Sequence, residues 1–144
     1  MSHTRFLYHI VFRTKGGEPL IGASWESELY RYLGGIVKGW KGIAMEINGM
    51  PDHVHLLVLL VLCDFTAFMS ELKANSSKWA KRHDRNFAWQ RRYGAFTVSS
   101  SIADKVRSYI KKQKSHHAKR TFESEFLELL VRHGVEFDCH YLWD

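Results

Sequence analysis

The chain has 144 residues, 45% of them hydrophobic, and a formal net charge of +6. That length and composition fit one folded domain, residues 1–144, with a genuine core, and the basic balance points to a polyanionic partner. The longest uninterrupted apolar run, residues 56–63, is too short to cross a bilayer, so no membrane partner is expected. Cys63 and Cys139 fit no paired ligand spacing and read as reduced thiols. The opening Met1-Ser2-His3-Thr4-Arg5 leads into no signal-peptide core, and the expected location is cytoplasmic.

Residues 5–13, Arg-Phe-Leu-Tyr-His-Ile-Val-Phe-Arg, are aromatic and β-branched and form a first strand. A Gly-Gly-Glu-Pro break follows. Ser24 caps a helix to about residue 38, with Trp25, Leu29, Leu33 and Ile36 on its apolar face. Residues 43–48 form a second strand and Gly49-Met50-Pro51-Asp52 a turn, from which a third strand returns over 53–60. Asp64 or Thr66 caps a second helix to about residue 82, with Phe65, Phe68, Met69, Leu72 and Trp79 inward. A polar, basic stretch leads to a short strand at 96–99. Ser101 and Asp104 then resemble a capping box opening a third helix, whose buried stripe is Ile102, Val106 and Ile110. Thr121 caps a fourth helix with Phe122, Phe126, Leu129 and Leu130 packed, and Gly134 stops it. The tail, 138–143, carries aromatic anchors that dock. The order β-α-β-β-α-β followed by two helices predicts an α+β, ferredoxin-like antiparallel sheet with the first and third strands central.

Within the third strand, His53 and His55 lie two apart and share a face, opposite Val54, Leu56, Val58 and Leu60. Buried imidazoles each need a partner. One reading is two satisfied core histidines; the other is two-thirds of a facial metal site. Tyr109 and Gln113 are four apart on the third helix and face one way, with Lys105 before them and Lys112 and His116 after. Laid across the open sheet face, that helix brings Gln113 to the histidines as an oxygen ligand and leaves Tyr109 one turn away. Two imidazoles and an amide oxygen suit Mn²⁺ or Mg²⁺, whereas a thiolate or a third histidine favours zinc. A tyrosine with a pKa of about 10 needs a cation's help to attack a phosphodiester. The resulting phosphotyrosine keeps the bond energy, so a 3′-hydroxyl can rejoin the strand.

Residues 78–92 carry six basic side chains (Lys78, Lys81, Arg82, Arg85, Arg91, Arg92) against one acid, Asp84, with Trp79, Phe87, Trp89 and Tyr93 interleaved. Residues 105–120 carry seven basic side chains and no acid. Such runs are often only a solvated surface; here they flank the candidate site. Cations that track a backbone and rings that stack on bases fit single-stranded nucleic acid. Lys78, Arg82, Arg85, Arg91, Arg92, Lys105 and Lys112 are the candidate DNA-binding residues.

Taken together, Met50-Pro51-Asp52-His53-Val54-His55-Leu56-Leu57-Val58, Gly94-Ala95-Phe96-Thr97-Val98-Ser99, Val106-Arg107-Ser108-Tyr109-Ile110 through Gln113 to His116-His117, and the closing Tyr141-Leu142-Trp143 make the chain resemble the IS200/IS605-like transposases, the single-tyrosine HUH endonucleases. The resemblance implies a ferredoxin-like core with a C-terminal helix carrying the catalytic tyrosine. It also implies metal-dependent cleavage of single-stranded or hairpin DNA through a 5′-phosphotyrosine, and a homodimer in which the tyrosine helix can serve the other chain. By that resemblance His53, His55 and Gln113 hold the metal and Tyr109 is the nucleophile. Two other readings stand beside it: a domesticated relative that binds or nicks repeat hairpins, and a metal-dependent phosphoesterase or small zinc protein with water as the nucleophile. In the second, His116, His117, Cys139 or His140 joins the His pair.

Overall fold

The computed structural model describes residues 2–138, 142 and 143. Its frame is a four-stranded antiparallel sheet in the order β2-β3-β1-β4. The strands are β1 (Phe6–Arg13), β2 (Ile43–Met50), β3 (His53–Leu60) and β4 (Gly94–Thr97). The helices are α1 (Glu26–Gly39), α2 (Phe65–Ala80), α3 (Ala103–Lys111), α4 (Gln113–His116) and α5 (Phe122–Arg132). The α+β ferredoxin-like reading holds, and β1 and β3 are central. No helix among the described residues is long and apolar enough to cross a membrane.

Period-two alternation divides the sheet into two faces. Ile10 and Phe12 of β1, with Val54, Leu56, Val58 and Leu60 of β3, point into the main core. Leu29, Leu33 and Val37 of α1 and Phe68, Met69 and Leu72 of α2 close it. On the other face Val11 and Phe96 meet Phe122, Phe126, Leu129 and Leu130 of α5, with Leu142 and Trp143 packed beside them. The expected docking of the tail holds for those two residues; Cys139, His140 and Tyr141 lie outside the described ones.

Several local expectations are corrected. Asp64, not Thr66, caps α2, accepting from the Ala67 N–H. α1 is preceded by Trp25 with no side-chain cap, so Ser24 does not serve. The Ser101–Asp104 capping box does not form: Ser99 caps a single 3₁₀ turn (Ser100–Ile102), and α3 follows with no side-chain cap. Ile102 is accordingly 44% exposed rather than buried.

The β2–β3 hairpin depends on Gly49. A Cβ there would lie 2.1 Å from the His53 carbonyl oxygen and 2.9 Å from the Val54 Cα. Both obstacles are backbone and cannot swing aside. Gly49→Ala is expected to destabilise the fold by about 2 kcal/mol or more, since overpacking a rigid site typically costs about 1–3 kcal/mol. Urea denaturation checks this, and an unchanged midpoint would show that the hairpin yields.

Candidate metal and tyrosine site

β3 delivers His53 and His55 to the sheet face away from the main core, and both are fully buried. Their neighbours in register are Arg13 and Val11 on β1 and Met50 and Asn48 on β2. α3 crosses this face and is tied to β2 at both ends of its contact: Arg107 Nε lies 3.1 Å from Glu46 Oε1, and Asn48 Nδ2 donates to the carbonyls of Ile110 and Lys111 at 3.1 and 3.0 Å. That amide satisfies the carbonyls of the last turn, and the helix breaks at Lys112. Tyr109 and Gln113 therefore do not share one continuous helix. They still converge, because α4 restarts at Gln113, which is fully buried, with its Oε1 3.1 Å from His53 Nε2.

At the centre stands a residue that the sequence reading passed over. Glu125 of α5 is 1% exposed. Its Oε1 faces three imidazole Nε2 atoms, those of His55 and His117 at 2.9 Å and that of His53 at 3.5 Å. Its Oε2 accepts the Tyr109 hydroxyl, and the Gln113 amide at 2.9 Å. The Tyr109 ring stacks on His116, centroids 4.7 Å apart. Among the histidines named as possible additions to the pair, His117 joins and His116 instead supports the tyrosine.

The outer nitrogens of these rings are also engaged. His53 Nδ1 is 2.7 Å from Asp52 Oδ1, and His117 Nδ1 is 2.9 Å from the Arg120 carbonyl oxygen. Both partners are acceptors only, so each Nδ1 carries a proton, and in the neutral form of each ring a bare Nε2 faces inward. His55 Nδ1 is 2.8 Å from Nε2 of His9, a buried β1 residue also passed over in the sequence. Bare Nε2 lone pairs aimed at a carboxylate oxygen repel unless protons or a cation lie between them. The separations of 2.9 and 3.5 Å from Glu125 bracket the edges, roughly 3.0–3.4 Å, of a coordination shell with bonds of about 2.1 Å. His53, His55, His117 and Glu125 place their donor atoms within 4.8 Å of one another, and this donor set fits a divalent ion.

The same contacts set the charges. Burial opposes ionisation of Glu125, but its close contacts with His117, His53 and His55 outweigh burial and hold its carboxyl far below the usual carboxylate range. Burial, then the Glu125 carboxylate, raises the Tyr109 hydroxyl above its ordinary value. Burial pushes His55 down to about 4, and burial followed by the charge of His55 holds His9 well below the usual histidine range. For His53 burial is outweighed by Asp52 and Glu125, and its pKa rises.

These shifts carry a pH dependence for protein stripped of metal. Below about 6.5 the unfolded chain protonates His9 and His55 while the folded chain keeps them neutral, so stability falls as pH drops from there toward 4. His53 acts oppositely, contributing below 6.5 and losing its share as pH rises through its raised folded pKa. Two residues outweigh one, and the His55 shift alone is worth on the order of 3 kcal/mol. In EDTA the thermal midpoint is expected to be clearly lower at pH 5 than at pH 7, by circular dichroism; equal midpoints would contradict the assignment of buried neutral rings.

The candidate DNA-contacting residues fare unevenly. Lys78, Arg82, Arg85, Arg91, Arg92, Lys105 and Lys112 are all exposed. Lys105 lines a cavity beside Tyr109, and Arg92 lines a cleft with Arg13 and Tyr93 against α5. Lys78 and Arg82 belong to α2 and its end, a helix packed on the opposite sheet face. The stacking platform shrinks: Phe87 is 0% and Trp89 8% exposed, both in the main core, and Trp79 is half-buried against Tyr32. Only Tyr93 of the four stands clearly exposed. The reason is that the 88–90 segment hydrogen-bonds alongside β1 and its end, with Lys15 N donating to the Ala88 carbonyl and Gln90 N to that of Arg13, which turns the rings inward.

A comparison with curated proteins found no match. Among solved structures, the chain is similar to a protein from Deinococcus radiodurans described as a candidate transposase, with 21% identity, 78% of this chain and 93% of that one covered, and a TM-score of 0.63. It is similar also to a REP-associated tyrosine transposase bound to a REP hairpin, with 13% identity, 81% and 71% coverage and a TM-score of 0.64. At these identities the likeness shows the fold. The family profile described as "Transposase IS200 like" matches residues 2–113, a span holding β1 through Gln113 and so the His pair and Tyr109; on that match the chain belongs to the IS200-like transposase family.

Proposed function

We propose that this chain cuts and rejoins single-stranded DNA, with Tyr109 attacking a phosphodiester and retaining a 5′-phosphate as phosphotyrosine. One observation carries the reading: a single buried carboxylate, Glu125, holds the Tyr109 hydroxyl on one oxygen and faces three imidazoles with the other. That arrangement supports reading Tyr109 as the nucleophile and the imidazoles as metal ligands of one site. Membership of the IS200-like family supports the transposase class. The hairpin in the REP transposase structure supports hairpin-bearing DNA as the substrate.

In the proposed step the Tyr109 Oη–P bond forms and the P–O3′ bond breaks. The tyrosine proton passes along its hydrogen bond to Glu125 Oε2 and on to solvent, and the leaving 3′-oxygen takes a proton from solvent. A divalent ion among His53, His55, His117 and Glu125, with the Gln113 oxygen beside them, would polarise the phosphate and offset charge on the leaving oxygen. Three imidazoles and a carboxylate suit a nitrogen-preferring transition ion, zinc by the third-histidine criterion as well as Mn²⁺, better than Mg²⁺, which prefers an all-oxygen shell. His9, Asp52 and the Arg120 carbonyl fix the ring orientations. In this reading Lys105, beside Tyr109, and Arg92, in the cleft with Arg13 and Tyr93, contact the DNA backbone.

A homodimer is part of the proposal. In this reading Tyr109, whose hydroxyl meets Glu125 of its own chain, serves the histidines of its own protomer. Purified heterodimers of Tyr109→Phe with His53→Ala/His55→Ala chains are therefore expected to stay at background; recovered activity would show that the tyrosine crosses over.

The proposal is tested by incubating the protein with hairpin-bearing single-stranded DNA and Mn²⁺ and resolving the products on a denaturing gel. A covalent adduct is expected. Cleavage with turnover and no adduct would favour the water-using phosphoesterase, a reading that the arrival of His117 at the His pair keeps open. No cleavage at all with Mn²⁺ or Mg²⁺ would sink the proposal, and a chain that binds the hairpin without cutting would have the binding role of a domesticated relative.

A further inference from the structure

Beside Tyr109, between α3 and α5, lies a cavity of about 330 Å³ that the chemistry above leaves unused. Val98, Ile102, Val106 and Leu129 give it apolar walls, and Lys105 and His133 give it basic groups. Arg132 also lines it while pairing with Glu128 at 2.8 Å. No lining residue is acidic, and its size falls at the small end of ligand pockets. Ile102 is an apolar side chain left 44% exposed on this wall. His133 is held toward its neutral form by burial and by the Arg132 charge, so Lys105 is, among the described residues, the unpaired cation of the wall; apolar walls with one cation suit a flat, uncharged base joined to a phosphate.

We propose that this cavity receives the nucleoside attached through its 5′-oxygen to the scissile phosphate, the one that stays on the protein after cleavage. The assignment rests on Tyr109 being the nucleophile, and stereochemistry supplies the direction. In displacement at phosphorus the attacking and leaving oxygens lie roughly in line, on opposite sides. The nucleoside carrying the leaving 3′-oxygen therefore lies across the phosphorus from Tyr109. Tyr109 is itself part of the cavity wall, so the cavity is on the attacking side. Its occupant is then the downstream nucleoside, and holding the base there keeps the phosphotyrosine close until a 3′-hydroxyl arrives to rejoin the strand.

Binding of two isomeric probes tests this without any chemistry. The full chain loaded with Mn²⁺ is titrated calorimetrically with thymidine 5′-monophosphate and, separately, thymidine 3′-monophosphate. The 5′ isomer, which can set its phosphate at the site and its base in the cavity, is expected to bind roughly tenfold tighter. Val106→Trp, which fills the cavity, and Lys105→Glu, which reverses charge at an exposed position, are each expected to erase that preference. Should Val106→Trp fail to fold, Lys105→Glu decides. Equal binding of the isomers, no binding of the 5′ isomer at about 10 mM, or an unchanged preference in the folded variants would overturn the pocket. Tyr109→Phe protein is expected to keep the preference. If it does while wild type forms no DNA adduct, the nucleophile assignment falls and takes the downstream identity of the occupant with it, and what stands is a pocket for a 5′-nucleotide.

Discussion

Tyr109→Phe protein is expected to form no covalent DNA adduct, with the rate of attachment reduced by roughly a thousandfold or more, because the oxygen that makes the bond is gone. Folding should survive. The ring keeps its stack on His116, and Glu125 Oε2 keeps its bond from Gln113. One hydrogen bond is lost, worth about 0.5–1.5 kcal/mol. Hairpin binding should stay near wild type, since the exposed basic residues are untouched. The comparison of interest is therefore adduct formation against binding in the same preparation, by denaturing gel and by fluorescence anisotropy. An adduct that persists in the variant would move the search to Tyr93, the exposed tyrosine in the cleft of Arg13 and Arg92.

The part of this site that was legible in the sequence is the part set by short-range periodicity. His-Val-His on a strand must present both rings to one face, and the apolar residues between them must face the other way, as Val54 and Leu56 do. The helix break at Lys112 was not legible. Nothing in Ile110-Lys111-Lys112-Gln113 disfavours a helix; the break is accommodated by Asn48, far away in the chain, whose amide donates to the carbonyls of the last turn. Phe87 and Trp89 look like stacking rings because their sequence neighbours are basic, but pairing of 88–90 along β1 sends them into the core.

Two central residues left signals that a stricter reading could catch. Glu125 falls in the apolar stripe of α5, three residues after Phe122 and four before Leu129, and a charge in such a stripe needs a partner. His9 shares the alternating face of Val11 and Arg13, the face that β1 presents to the same layer as the His pair. Neither signal names the partner. That requires knowing that α5 lies over this face, which is decided by tertiary contacts such as Phe126 against Gly94, where a Cβ would come within 2.7 Å of the ring.

Glu125→Gln is expected to lower Mn²⁺ affinity by roughly a hundredfold, at least as much as Gln113→Ala. The substitution keeps the shape and removes the charge. A carboxylate oxygen facing three bare imidazole nitrogens is suited to bind a cation, whereas a glutamine amide can instead donate to an imidazole and meet the nitrogens without an ion. The variant should therefore lose little stability in EDTA while losing metal. Glu125→Ala separates the two effects: it leaves the Tyr109 hydroxyl and the Gln113 amide without their acceptor and opens a void, which should cost about 2–4 kcal/mol by urea denaturation as well as affinity. Calorimetric titration with Mn²⁺ and with Mg²⁺ gives the remaining contrast, since the nitrogen-rich set should hold Mn²⁺ far more tightly in wild type and the gap should narrow once the carboxylate is gone. If Glu125→Gln binds Mn²⁺ as wild type does, the carboxylate is only a hydrogen-bond partner, and the ion belongs to His53, His55 and the Gln113 oxygen alone.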